Sequence, residues 1–274
     1  MFISKKPIVA IIKLSGIISS ESRLGGRGSL NLNDLSDSIT KAFSFKNIKA
    51  VLILVNSPGG SPVQSALIAN RICELSKEKE VPVYCFIEDL AASGGYWLSC
   101  AADKIYAMES SIIGSIGVIT SGFGAVEAIK KIGIERRVYS QGKNKGLLDP
   151  FLPEKKDDVK QILTIQKDLH AQFINWVKKR RGKRLKAKDD VLFNAGVWSG
   201  TKAKDLGLVD GIGDYYNVMK NIFGDEIKFK DFSKKTSWFK QKFLSNRNEF
   251  NADYLIESLI KNIEERIIWS KYGL

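Results

Sequence analysis

An α/β fold built on a mostly parallel sheet is predicted by three features of the sequence. Apolar runs of strand length alternate with segments of helical spacing. The runs Lys49–Val55 (KAVLILV) and Val83–Ile87 are continuously apolar, the pattern of strands covered on both faces. Each is followed by a loop rich in small residues, Asn56-Ser57-Pro58-Gly59-Gly60 and Ala91-Ala92-Ser93-Gly94-Gly95. Such a sheet places its sites outside the carboxyl ends of its strands.

The elements follow in order. Ile8–Leu14 is a β-branched run that stops at Ser15-Gly16, hence a strand, and Ser19–Ser29 is a Ser/Gly/Arg-rich loop. Asn33 is placed to cap a helix carrying Leu35, Ile39, Ala42 and Phe43 on one face. After the strand Lys49–Val55, Ala66, Ala69, Ile72, Cys73 and Leu75 mark the buried side of a second helix. Val83–Ile87 and Lys104–Ala107 are strands, with a short helix of small residues over Ser93–Ala101. Pro153–Arg180 is a long amphipathic helix through Val159, Ile162, Leu169, Phe173 and Trp176. Val197–Asp210 reads as a short helical hairpin. Residues from 225 on become basic and aromatic, and an amphipathic helix is expected from about Asp253 to Tyr272.

Composition narrows the function. The three cysteines, Cys73, Cys85 and Cys100, form no C-x-x-C pair and are odd in number. That argues against a disulfide framework or a zinc cluster and fits small buried thiols in a reducing compartment. No run reaches the roughly 18 apolar residues a membrane span needs. The N-terminal run is broken by Lys13 and has no small-residue cleavage site, so the chain is expected to stay in the cytoplasm. The net charge is +13, and Trp176–Lys188 holds eight Lys or Arg and no acid. The expectation for this run is a solvated surface, with peripheral contact with an anionic membrane as the alternative. No nucleic-acid-binding signature accompanies it.

Ser93 stands at the start of a helix between two alanines and two glycines. The N–H of Gly94 there has no intrahelical partner and can hold an oxyanion beside a serine nucleophile. The competing reading is a plain helix cap. Gly59 and Gly60 can turn a second donor toward the same crevice, or simply make a tight turn. A nucleophilic serine needs a base. The single histidine, His170, lies mid-helix among charged residues and has no motif around it, so a Ser-His-Asp triad is not expected. A lysine serves where desolvation brings its pKa from ~10.4 toward 7–8. Lys143 and Lys145 both stand in the Gly-bounded loop before Pro150, and the pattern alone does not choose between them.

Together, Asn56-Ser-Pro-Gly-Gly60, Ala92-Ser-Gly-Gly-Tyr-Trp97 and Gly114-Ser-Ile-Gly-Val118 resemble the signal peptide peptidase A family, also called protease IV or SohB-like peptidases. The likeness runs from about residue 7 to 223, and the combination is specific although each motif alone is weak. It implies a ClpP/crotonase-like fold, with a mostly parallel sheet, flanking helices and a C-terminal helical appendage. It implies a peptidase domain over 1–224 and a basic appendage over 225–274. It further implies a Ser–Lys dyad of Ser93 and Lys145, the lysine five residues before Pro150. Ser115 would orient the lysine amine, and Gly94 with Gly59 and Gly60 would form the oxyanion hole. The resemblance implies apolar peptide substrates, including cleaved signal peptides, a homo-oligomer, and no metal or other cofactor. Many relatives carry an N-terminal membrane anchor, which is not read here. Two rivals stand beside this reading. One is a crotonase-like acyl-CoA enzyme using Glu88 or Asp89, and the other a non-catalytic scaffold that binds peptides or membranes.

Overall fold

The computed structural model describes residues 6–20, 29–142, 144–233 and 266–274. Its elements run β1 (Ile8–Ser15), α1 (Leu32–Ser44), β2 (Ile48–Ser57), α2 (Pro62–Lys79), β3 (Val83–Ala92), α3 (Gly94–Ser99), β4 (Lys104–Ala107) and β5 (Ile112–Gly114). They continue with α4 (Val126–Lys131), α5 (Lys156–Arg181), α6 (Asp189–Leu192), β6 (Val197–Ser199), α7 (Gly200–Asp205), β7 (Gly211–Ile212), α8 (Tyr215–Phe223) and β8 (Lys228–Asp231). Two compact units form, one from the described residues up to Ile116 and from Trp176 on, the other from Gly117–Asn175.

The first unit is the sheet and its helices. The strand order is β6-β5-β3-β2-β1-β8, parallel throughout except that β6 runs antiparallel to β5. β3 carries two partners in succession: Tyr84–Ile87 pair with β4, and Leu90–Ala92 pair with β5. Successive strand residues face opposite sides. Val9, Ile11, Ala50, Leu52, Leu54 and Phe86 therefore share one face, where Met219 of α8 and Ile227 complete a core. The opposite-facing residues Ala10, Ile12, Val51, Ile53 and Cys85 are fully buried as well, so the continuous apolar runs are strands covered on both sides.

Several local expectations are corrected. Asn31, not Asn33, caps α1, its side chain accepting from the Asp34 N–H at 2.8 Å. Val197–Asp210 is a strand, β6, followed by α7, because Val197–Ser199 pair with β5. The stretch after 225 begins with β8, which pairs in parallel with β1. Of the C-terminal helix expected from 253, residues 253–265 lie outside the described residues, and 266–270 are helical. So do residues 21–28 of the N-terminal loop.

The basic run at the end of α5 is not uniformly surface. Arg181 is almost wholly buried, donating to Asp210 Oδ2 at 2.7 Å and twice to Gly207 O. Burial alone would raise the Asp210 carboxyl, but the hydrogen bond and charge of Arg181 outweigh it and hold the carboxyl below its ordinary value.

The second unit holds α4, the turns around Lys145, and α5 as far as Asn175. Arg136 pairs with Asp149 at 3.1 Å, and the Leu148 N–H donates to Asp158 Oδ2 at 3.2 Å. Large apolar side chains stand in solvent here: Phe123 is 93% exposed, Tyr139 92% and Ile119 80%.

Replacing Arg181 with Met should cost about 3 kcal/mol in denaturant unfolding, because the buried Asp210 carboxylate loses its 2.7 Å partner and keeps only Arg184 at 3.5 Å and the Ile105 N–H. The Asp210 carboxyl titrates lower in the folded chain than in the unfolded one. Its stabilising contribution is thus present above the ordinary carboxylate range and lost as pH falls below about 4. Asp210→Asn should remove that acid-dependent loss from a pH series of unfolding midpoints.

Candidate active site

The site begins where β3 stops. Ser93 follows the last residue of β3 and adopts φ 52, ψ −122, a left-handed conformation that non-glycine residues rarely hold. Such a backbone costs on the order of 1–3 kcal/mol and persists only where its surroundings over-determine it. The Ser93 N–H donates to Gly114 O at 2.8 Å, and Ser93 O accepts from the Trp97 N–H at 3.0 Å. Its side chain makes no capping hydrogen bond to α3. The plain helix cap is therefore set aside, and the half-buried hydroxyl is left for other work.

Ser115 stands beside it. Ala92 pairs with Gly114 across β3 and β5, so the two serines leave the sheet in the same register. Ser115 is also left-handed, with φ 51, and its N–H donates to Gly196 O at 2.7 Å.

The glycine loop after β2 packs directly on this junction. A Cβ on Gly59, at φ +101, would lie 2.7 Å from Gly94 N and 2.8 Å from Ser93 Cβ, so only glycine admits the approach. Ser57 Oγ holds the loop, donating to Gly16 O at 2.7 Å and accepting from the Gly59 N–H at 3.1 Å. The Gly59 N–H is thus engaged within the loop. Ile18 bonds on either side of Gly60, donating to Gly59 O and accepting from the Ser61 N–H, both at 2.8 Å. In a parallel bridge of this kind the N–H of the bracketed residue points away from its partner, and Gly60 is exposed. Of the two glycines, Gly60 is the one whose N–H is free to act. Gly94 supplies a further N–H from the unpaired first turn of α3.

Lys145 is exposed in the second unit, on a turn closed by its N–H to Gly142 O at 3.0 Å. Lys143 lies outside the described residues. His170 is within α5. Asp89 accepts from Asn56 Nδ2 at 2.7 Å, and Glu88, its carboxyl pushed up by burial and by Asp89, precedes it on β3. Cys85 and Cys100 are fully buried, and burial pushes both thiols up, Cys100 to about 11. Among the described residues, no cluster of three or more His, Cys, Asp or Glu could hold a metal. Also among the described residues, no helix is long and apolar enough to cross a membrane.

Sequence reasoning missed the groups that grip α3 from behind. Tyr96 Oη donates to Leu208 O at 2.8 Å, and Arg180 reaches three carbonyls beyond the helix end. Arg180 sits in a run of like residues, so nothing in the local pattern separates it from its solvated neighbours.

A serine at a strained strand-to-helix turn, with free backbone donors at the carboxyl edge of a parallel sheet, can perform acyl transfer. The comparisons with known proteins agree with that class. The sequence matches the profile of peptidase family S49 over residues 75–224, and the chain belongs to that family. It is 32% identical to a putative signal peptide peptidase SppA of Enterococcus faecium over 246 residues, 86% of this chain and 71% of that protein. It is 41% identical over 276 residues to a protein of Brucella melitensis biotype 1 named Na(+)/H(+) antiporter NhaA. That match covers 97% of this chain but 37% of the other, so this chain spans little more than a third of that relative. Among solved structures, a lysine-to-alanine variant of the 1510-N membrane-bound stomatin-specific protease with a substrate peptide superposes with a TM-score of 0.54. That match covers 88% of this chain and 99% of the protease at 16% identity, a likeness of fold. The ClpP/crotonase-like α/β architecture and the SppA/SohB-like family expected from the motifs both hold.

Gly59→Ala should lower stability by about 1–3 kcal/mol, through overpacking and a strained φ. It should also slow any reaction at Ser93, because the added methyl pushes on Ser93 and on the Gly94 N–H together. Thermal unfolding and the rate of covalent labelling at Ser93 measure the two effects separately.

Proposed function

We propose that this chain is a serine peptidase in which Ser93 is the nucleophile and Lys145 the general base. The observation that carries the reading is the left-handed, uncapped Ser93 at the β3–α3 turn, packed against Gly59 and beside Ser115. Lys145, as the free amine, takes the Ser93 Oγ proton while Oγ attacks the peptide carbonyl. The oxyanion is held by the Gly94 and Gly60 N–H groups. The lysine ammonium then protonates the leaving amine, and water, activated by the amine, hydrolyses the acyl-enzyme and frees Ser93. Ser115 orients the amine. The support for Lys145 over Lys143 is its place five residues before Pro150, as in the family motif.

The substrates we propose are apolar peptide segments, including cleaved signal peptides. The name of the Enterococcus relative is consistent with that class. An acyl-CoA enzyme of the same fold would need a carboxylate at the hole. Glu88 and Asp89 precede Ser93 by five and four residues, about 13–16 Å along an extended strand, and Asp89 is already engaged by Asn56. A homo-oligomer belongs to the proposal, and the exposed Phe123, Tyr139 and Ile119 support it as surfaces for a second copy. Peripheral contact with an anionic membrane through the exposed lysines of the basic run is part of the same proposal.

Intact-protein mass spectrometry after fluorophosphonate treatment tests the dyad. One adduct is expected on the wild type, none on Ser93→Ala, and a strongly slowed reaction on Lys145→Ala. An adduct that persists in Ser93→Ala would remove Ser93 as nucleophile.

Sedimentation velocity tests the assembly. The wild type should run as a species heavier than one chain, and Phe123→Asp should shift it toward the monomer. A wild type that is monomeric at micromolar concentration would overturn the oligomer.

A further inference from the structure

α3 is only six residues long and opens with two glycines, so its own helical propensity is slight. What orients it is what grips it. Trp176 stacks on Trp97 with ring centroids 6.1 Å apart, and its Nε1–H donates to Trp97 O at 3.0 Å. Arg180 donates from Nε to Cys100 O at 2.7 Å and from one terminal nitrogen to Ala101 O at 2.9 Å and Ala102 O at 3.2 Å. One planar guanidinium thus meets three successive carbonyls where the helix ends, a geometry that a lysine ammonium does not reproduce. Arg181 is anchored to Asp210 and Gly207, and Tyr96 in α3 donates to Leu208 O of the same segment.

From this geometry we infer that Trp176 and Arg180 are positioning residues for the reaction at Ser93. They hold the far end of α3 so that its near end keeps the left-handed Ser93 backbone and aims the Gly94 N–H. Their hydrogen bonds go to Trp97, Cys100, Ala101 and Ala102, so they act through α3. The inference rests on Ser93 being the nucleophile. The strain at Ser93 requires restraint from more than one side. Gly59 and Gly114 restrain the β3 side, and the α5 end restrains the other. A small tilt of α3 would move the serine and the oxyanion donor together, and a misplacement of about 1 Å can cost ~10²-fold in rate.

The experiment is a time course of fluorophosphonate adduct formation by intact mass on Arg180→Ala, Arg180→Lys, Trp176→Phe, Ser93→Ala and the wild type. The final amplitude reports how much of the chain is folded and competent; the rate constant reports how well the site is aligned. Arg180→Ala should reach full amplitude at a rate lower by about 10- to 100-fold. Arg180→Lys should lie between it and the wild type. Trp176→Phe, which keeps the stacked ring and loses only the N–H donor, should be slowed to a lesser extent. A purely structural role would lower the amplitude and leave the rate unchanged. Wild-type rates in Trp176→Phe and Arg180→Lys would overturn the inference even if Arg180→Ala does not fold. Failure of the underlying reading looks different: labelling would survive in Ser93→Ala.

Discussion

The site depends on a single backbone constraint, the left-handed turn at Ser93 that takes the chain from β3 into α3. β6 passes into α7 through Ser199 with an ordinary extended backbone, whereas β3 passes into α3 through a residue that leaves the ordinary regions of φ/ψ space. Here the residue is a serine and not a glycine, so the surroundings carry the strain. They do so through small residues. Gly59 lets the β2 loop approach Ser93 Cβ, Gly94 makes room for Ser65 Oγ, and a Cβ on Gly95 would strike Ser57 O at 2.4 Å. Close backbone approach, not flexibility, explains why glycines crowd this corner.

The long strand β3 distributes the consequences. Its first half is completed by β4 and its second by β5. Because β5 is in register with the last residues before Ser93, the chain after Gly114 emerges at the same edge, and Ser115 sits next to Ser93. β1 plays the corresponding part on the other side. Its continuation through Gly16 and Ile18 fixes the glycine loop by hydrogen bonds to Asn56, Ser57, Gly59 and Ser61. The motifs that look separate along the chain are one corner of the sheet.

That corner was largely legible in the sequence, because buried strands are continuous apolar runs and strand ends are glycine-marked. What was not legible was decided by tertiary partners. β5, β6 and β8 are three or four residues long, and each is a strand only because a neighbour pairs with it. Asn31 and Asn33 are equally good caps by type, and the chain path chooses Asn31. Between Gly59 and Gly60, the free N–H is settled by a bond from Gly59 to Ser57 Oγ that no spacing rule foretells.

The basic run at the end of α5 shows how charge counting misleads. Its arginines and lysines look alike in sequence, yet they divide by chemistry. Arg180, Arg181 and Arg184 turn inward onto carbonyls and Asp210, where a rigid, many-donor fork can satisfy several acceptors at once. Lys178 pairs with Asp189, while Lys179, Lys183 and Lys188 remain on the outside. A buried pair such as Arg181–Asp210 brings little net stability over an apolar substitute, because two charges must be desolvated. Its value lies in direction. An apolar plug could fill the same space, but it would not tie Gly207, Asp210 and the end of α5 into one arrangement. Arg180, the residue before it, shares that arrangement and reaches the end of the helix that begins just after Ser93.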